Sequence, residues 1–294
     1  MSAREPLEAP PAGSRLVRAR EQARHAGAWA NEHVPGAPLV DRALQRERLA
    51  AAGLLAGGLA YRLFFWLVPL GLVFAAALSF WVDEDRAGLE EAASDFGIGG
   101  AATDAAMDAI AQQEHARWYF LLAGVVLLAW FSLGVVRALV VTHSIAWSLP
   151  PQKPRRPIAA GLGFSGVVVA LIVVSTSTQL LREQLGGIGV LLTLSLFVLY
   201  VAALVWAMEK LPHRCTSWRH LLPGALLVAL GAQALHLVVV LYLAPKLGRS
   251  SELYGTLGTA TVILLWLYLV ARLVVAAAFF NAALWDEREE QARV

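Results

Sequence analysis

The fold is decided by one apolar stretch near the end of the chain, Leu257–Leu284, which reads LGTATVILLWLYLVARLVVAAAFFNAAL. Arg272 is its only charged residue. A helix of about 20 residues, rising 1.5 Å per residue, crosses the ~30 Å of bilayer hydrocarbon. The stretch therefore predicts a membrane-spanning helix.

The composition of the chain agrees with a membrane protein. Hydrophobic residues make up 58% and charged residues 16%, against about 45–50% and ~25% in soluble domains. The net charge of +2 gives no basic field that would favour nucleic acid as a partner. Cys215 is the single cysteine, which excludes an intrachain disulfide and a cysteine metal cluster.

Five further stretches pass the same length test, so we predict an all-α, polytopic bundle of about six spans. The predicted spans are 53–82, 118–142, 158–180, 187–208, 221–243 and 257–284. None of them contains Asp or Glu. We expect Pro69 to tilt or kink the long first span.

Loop charges predict the orientation and the domain organisation. Residues 1–49 carry eight arginines, and the positive-inside rule then places both termini in the cytoplasm. We expect no cleavable signal peptide, because the first apolar run begins near Ala50. The segment 1–49 is predicted to be basic and partly helical or disordered, with Arg15–Trp29 as a candidate helix on an anionic leaflet. Residues 285–294 are predicted to be a cytoplasmic tail.

The external loop 83–117 is acidic, with nine Asp and Glu residues. The cluster is compatible with a cation site, but its spacing matches no EF-hand ligand loop. A solvated loop is the favoured interpretation.

Four motifs, taken in order, resemble the YihY/BrkB family of bacterial inner-membrane proteins. They are LAYRLFFWLVP at 59–69; Trp130, Ser132 and Arg137-Ala138-Leu139; Leu211-Pro212, Trp218-Arg219 and Pro223-Gly224-Ala225; and YGTLG at 254–258 with WLY at 266–268. The motif residues to which we assign a structural role are Tyr61, Pro69, Pro223, Gly224, Tyr254, Gly255, Gly258 and Trp266. The chain departs from the family at Ala277–Ala282, which lacks the usual Gly and Glu, and at Ser144, where Asn is usual.

The resemblance implies six spans and a location in the bacterial inner membrane. It links the chain to envelope integrity, virulence and lipid handling, and to an old ribonuclease label. The residues do not favour an enzyme: the seven histidines lack zinc-nuclease spacing, and no Walker A, His-Glu-x-x-His or Gly-x-Ser-x-Gly motif is present. We predict no catalytic site, metal or cofactor.

Arg62, Arg137 and Arg272 lie inside predicted spans, where a charge costs an estimated 2.5–3.5 kcal/mol. Three cations at similar depth without acidic partners would form a basic pocket for a lipid headgroup or organic anion. The alternative is snorkelling, which accounts comfortably for Arg62 and Arg137 and less well for Arg272.

Gln233, His236 and His143 are the other polar candidates within spans. Gln233 and His236 are three residues apart and share a helix face. They would line a polar path or, as the favoured alternative, form a hydrogen bond that joins two helices.

Two functions remain open. The leading hypothesis is a transporter or handler of lipid or amphipathic anions, with anionic lipids of the cytoplasmic leaflet as partners. The alternative is a non-transporting scaffold that tethers envelope machinery through its N-terminal segment. Homo-oligomer formation stays open in either case.

Overall fold

The computed structural model describes residues 36–79, 114–150, 152–154, 156–185, 189–238 and 244–293. Within these ranges the chain is helical and contains no strand. The helices are α1 (Ala37–Leu49), α2 (Ala52–Ser79), α3 (Glu114–Ala146), α4 (Pro157–Leu185), α5 (Gly189–Glu209), α6 (Leu222–Val238) and α7 (Ala244–Arg293), with a 3₁₀ turn at Trp218–His220. The predicted all-α class is confirmed. The candidate helix Arg15–Trp29 and nearly all of the acidic loop lie outside the described residues.

Five of these helices are long and apolar enough to cross a membrane. The qualifying segments are Ala52–Ala77, Trp118–Ala146, Pro157–Ser175, Leu191–Glu209 and Ala260–Arg293. Helix α6 corresponds to the fifth predicted span but has 17 residues, and residues 239–243 lie outside the described ranges. The chain is thus a polytopic helical membrane protein, with five described spans where six were predicted.

Helix α7 is longer than predicted, since its 50 residues run without a break to Arg293. The segment 285–293, predicted to be a tail, is its last part. Contacts one turn apart favour helix there: Trp285 Nε1 donates to Glu289 (2.9 Å), and Glu289 pairs with Arg293 at 3.8 Å. Helix α2 likewise continues through Pro69.

The helices pack in chain order around a closed ring. Each of α2 to α6 packs against the next, and α7 closes the ring by packing against α6 and α2. In lipid, small residues let helices approach closely, and the buried face of α7 is rich in them: Ala271, Ala277, Ala278 and Ala282. Many large apolar side chains point outward, including Leu54, Val68 and Trp130, as a lipid-facing surface requires.

Helix α1 lies along α7 and is separated from α2 by two residues. Pro38 is tolerated because it falls in the first turn of the helix. Leu39 and Ala43, four residues apart, bury one face against Phe280, Ala283 and Leu284. The chain then turns at Ala51, whose φ is +50°, and enters the first span.

Candidate functional site

Arg62 reaches from α2 onto the surface of α3. Its Nη1 donates a 2.8 Å hydrogen bond to the carbonyl oxygen of Gly134. A Cβ at position 134 would lie 3.2 Å from that nitrogen, so glycine leaves the space that the guanidinium occupies. Arg62 is exposed, and its charged group therefore lies on the outer face of α3.

Arg137 joins this face, because it follows Gly134 by three residues, close to one helical turn. It is exposed as well. Among the described residues, no carboxylate lies within 4 Å of either guanidinium. Since α3 continues to Ala146, Arg137 is nine residues, about 14 Å, from the helix end. That is deeper than the two turns that the predicted span implied.

Arg272 has a different environment, and the expectation that it lacks an acidic partner is wrong. Glu47 of α1 lies against it, with Nη1 to Oε1 at 2.9 Å and a 3.2 Å hydrogen bond from Nη2 to Oε2. The Glu47 side chain is 7% exposed and that of Arg272 is 34% exposed. The absence of carboxylates within the spans did not exclude this pair, because Glu47 precedes the first span.

Further ion pairs hold α1, and the connection that follows α5, against the last part of α7. Arg46 pairs with Asp286, and Arg42 hydrogen-bonds Glu290 at 3.3 Å. Asp286 also lies 3.8 Å from Arg214, which follows α5. Three distant segments of the chain are thus joined at one end of the bundle.

A buried hydroxyl cluster connects α2, α3 and α4. The indole Nε1 of Trp66 donates to Ser132 Oγ at 2.9 Å and lies 3.1 Å from Ser165 Oγ. The two serine oxygens are 2.6 Å apart, and Ser132 also donates to the carbonyl of Leu128. In lipid such polar contacts between helices fix which faces pack together.

Asn281 of α7 supplies a cap for α6 from outside that helix. Its Oδ1 accepts a 2.8 Å hydrogen bond from the Gly224 N–H, and its Nδ2 donates to the Leu221 carbonyl at 3.2 Å. Asn281 is buried, and a Cβ on Gly224 would clash with its side-chain amide. The motif glycine therefore leaves room for the asparagine, which satisfies a backbone donor in the first turn of α6.

The other polar candidates do not form one path among the described contacts. His143 is buried on α3, with Nδ1 3.0 Å from the carbonyl oxygen of Leu139 in its own helix. Gln233 is exposed on α6, and the side chain of His236 lies outside the described residues. The predicted roles of Gln233 and His236, in a polar path or in a hydrogen bond that joins two helices, stay predictions.

The remaining motif residues occupy varied positions. Tyr61 lies on the outer face of α2, and its ring centroid is 4.8 Å from that of Phe65. Trp266 is exposed on α7. Tyr254, Gly255 and Gly258 belong to α7, but their surroundings lie outside the described part.

In the described part of the chain, two cavities on the surface of the bundle bear on the predicted site. One of about 480 Å³ lies between α2 and α7 and includes Tyr61 and Tyr268. The other, of about 450 Å³, lies between α5 and α6. Neither cavity is lined by Arg62, Arg137 or Arg272.

Cys215 lies in the connection between α5 and the 3₁₀ turn, where it is half-buried. Burial raises the pKa of its thiol to about 11, although the nearby Arg288 charge opposes the shift. The thiol is therefore protonated and unreactive at neutral pH.

Sequence reasoning missed Glu47, Asn281 and the partners of Trp66 as functional residues. A signal for Glu47 was its position four residues after Ala43 on the face that begins at Leu39. Asn281 is the only polar residue in the apolar run 273–284. A lone polar residue in such a run indicates an interhelical hydrogen bond.

Comparison with known proteins places the chain in a family. The family model described as Virulence factor BrkB matches residues 43–294. The UPF0761 membrane protein Smlt0865 of Stenotrophomonas maltophilia is 25% identical over 250 residues, covering 78% of this chain and 56% of the relative. The UPF0761 membrane protein Mpe_A1422 of Methylibium petroleiphilum is 30% identical over 172 residues, covering 54% of this chain and 40% of the relative. The chain spans about half the length of these relatives.

No solved structure matches the chain. The relatives are named only as membrane proteins, without an enzymatic activity. The family match begins within α1 and covers the other six described helices. It includes both Gly224 and Asn281, which contact each other. The chain therefore belongs to the Virulence factor BrkB family of membrane proteins.

Proposed function

We propose that the protein is a non-enzymatic handler of anionic lipid, or of another amphipathic anion, in the bacterial cytoplasmic membrane. The observation that carries this proposal is the face of α3 on which the Arg62 guanidinium lies one turn from Arg137. In the proposed orientation both termini are cytoplasmic, which puts this face in the cytoplasmic half of the first two spans.

The energetic argument concerns the charge that these two residues bring into the bilayer. Each arginine costs an estimated 2.5–3.5 kcal/mol by insertion scales when it lies near the bilayer centre. No described carboxylate neutralises either one, and the Gly134 carbonyl bears only a partial charge. A phosphate or carboxylate group accepts bidentate hydrogen bonds from guanidinium. An anionic headgroup at this face would therefore supply the missing counter-charge.

Lipid binding by the full chain tests the proposal. The protein is reconstituted in nanodiscs that contain phosphatidylglycerol, and retained lipid is measured by native mass spectrometry. Arg62→Gln and Arg137→Gln should each weaken retention about fivefold, which corresponds to ~1 kcal/mol per basic residue. The Arg→Lys variants should lose less, because they keep the charge but not the bidentate geometry.

Lys153→Gln is the matched control, since Lys153 is an exposed cation outside the spans. It should leave lipid retention within twofold of the wild type. Transport itself is measured as movement of labelled lipid across proteoliposomes. The proposal fails if the Arg62→Gln, Arg137→Gln double variant retains and moves lipid like the wild type.

The scaffold hypothesis is favoured by a separate observation, the fastening of α1 to α7. Ion pairs of Arg42 and Arg46 with Glu290 and Asp286 hold α1, the helix into which the segment 1–38 leads, against the last part of α7. A tether of this kind should lose function when 1–38 is deleted, whereas a lipid handler should depend on Arg62 and Arg137. Testing both sets of variants in one envelope-integrity assay separates the two hypotheses.

A further inference from the structure

An apolar groove runs along the outer surface of the bundle between α5 and α6. On α5 its lining follows one helix face, from Phe197 through Val201 to Glu209. On α6 the described lining residues are Leu222 and Leu226, from the first two turns. The groove thus follows α5 over the 13 residues from Phe197 to Glu209, a rise of about 18 Å along the helix axis.

The groove has a polar end near Glu209, where each of two lining tryptophans has a cationic side chain over its ring. The Nζ atom of Lys210 lies 5.7 Å from the ring centroid of Trp206, and the guanidinium of Arg219 lies 5.8 Å from that of Trp218. Among the described lining residues Glu209 is the one acidic side chain, so the two cations leave this end with a net positive charge. The polar end therefore combines the interfacial aromatic residues and the positive charge that suit a headgroup region.

We propose that this groove binds one acyl chain of an anionic phospholipid, whose phosphate lies at Lys210 and Arg219. One leaflet contributes about 15 Å of hydrocarbon, half of the ~30 Å total. The length of the groove therefore matches the depth to which the acyl chain of a lipid in one leaflet extends. Basic groups at the membrane surface attract anionic headgroups. The site is distinct from the Arg62 and Arg137 face and does not depend on the function proposed there.

A helix from a second copy of the chain fits this groove less well than an acyl chain does. Close helix packing in lipid relies on small residues, and Ala202 is the one small residue among the described lining residues. Its neighbours include Phe197, Val198 and Trp206. A flexible chain follows such a bulky surface without needing a flat contact.

Photolabelling tests the site directly in the full chain. The protein is reconstituted in phosphatidylcholine nanodiscs with phosphatidylglycerol that carries a photoactivatable acyl chain, and labelled peptides are mapped by mass spectrometry. Label should concentrate on 197–209 and 222–226. Ala202→Trp fills the groove and should lower this labelling at least fivefold. Leu199→Trp, on the exposed surface of α5 outside the groove, should leave it within twofold.

The headgroup is tested with the Lys210→Gln, Arg219→Gln double variant. It should lower phosphatidylglycerol labelling by fivefold or more and leave labelling by a phosphatidylcholine analogue unchanged. Lys153→Gln serves as the charge control. The Arg62→Gln, Arg137→Gln variant should keep full groove labelling, which separates this site from the other one.

Three results would overturn the inference. Equal labelling by the two headgroups would mean unselective contact with bulk lipid. Unchanged labelling in Ala202→Trp would mean that the chain does not enter the groove. Cross-links between two copies at these peptides would identify a dimer interface instead.

Discussion

Replacing Arg272 by Gln is expected to destabilise the protein more than replacing Glu47 by Gln, because the two partners differ in burial. At 2.9 Å and an effective dielectric of ~20, their gross attraction is about 6 kcal/mol. Desolvation offsets much of this, and breaking a buried pair costs about 3–5 kcal/mol. Arg272→Gln leaves the 7% exposed Glu47 without a counter-charge and should cost about 3 kcal/mol or force its protonation.

Glu47→Gln leaves a cation whose side chain is 34% exposed. Because that guanidinium can turn toward water or headgroups, the expected cost is smaller, about 1–2 kcal/mol. The double variant removes both charges and should cost less than the sum of the single variants. The expected coupling energy is about 2 kcal/mol.

The assay is equilibrium unfolding in mixed micelles, followed for the wild type, the two single variants and the double variant. Arg48→Gln is the control, because Arg48 is an exposed arginine next to Glu47 on α1. This variant should change the free energy of unfolding by less than about 0.5 kcal/mol. A coupling energy within about 0.5 kcal/mol of zero would refute the reasoning. A larger loss for Glu47→Gln than for Arg272→Gln would refute the argument from burial.

Three further predictions concern other parts of the bundle. Asn281→Ala should lower the free energy of unfolding by about 1–3 kcal/mol, because it leaves the Gly224 N–H without a buried partner. Gly224→Ala should lower it further, because the new Cβ would clash with the asparagine. Equilibrium unfolding in micelles measures both changes. Trp66→Phe should cost about 1–2 kcal/mol, since it leaves two buried serines without the indole donor. Alkylation of Cys215 should rise about tenfold per pH unit up to pH ~11, whereas an ordinary thiol levels off above pH ~9.

Each of these predictions has its own contrary result. In the Asn281→Ala background, Gly224→Ala should become nearly harmless, and an unchanged penalty would contradict the steric explanation. Equal stability of Trp66→Phe and wild type would mean that the indole hydrogen bonds contribute nothing. Arg288→Gln should slow alkylation of Cys215 further at a given pH, because Arg288 lowers the thiol pKa; faster alkylation would contradict that assignment.

The spans could be predicted because bilayer thickness sets a length that hydropathy alone can test. The predicted spans 118–142 and 257–284 lie entirely within helices α3 and α7. Helix ends were harder to predict. Beyond Trp285 the residues are charged, so the apolar pattern stops, but contacts one turn apart continue the helix to Arg293.

Helix α1 could not be predicted from the same pattern. It has 13 residues, too few to span, and its Pro38 resembles a breaker unless the first turn is recognised. Its apolar face is buried by contact with α7. Glu47 is separated from its partner Arg272 by 225 residues in the sequence. Pairing across such a distance leaves no trace in a single sequence. For the same reason Arg272 was grouped with Arg62 and Arg137 by depth, although its charge is satisfied elsewhere.

A few polar contacts determine which helices pack together in this bundle, because the surrounding medium is lipid. Apolar burial does not select one helix partner over another in lipid, since the tails are as apolar as leucine. Selection must then come from close packing and from groups that lipid cannot satisfy. The Trp66 cluster joins α2 to α3 and α4, and Asn281 joins α7 to α6. Glu47 joins α1 to α7. Arg62 of α2 and Arg137 of α3 have no carboxylate partner among the described residues, so their charges are available to an anion from the membrane.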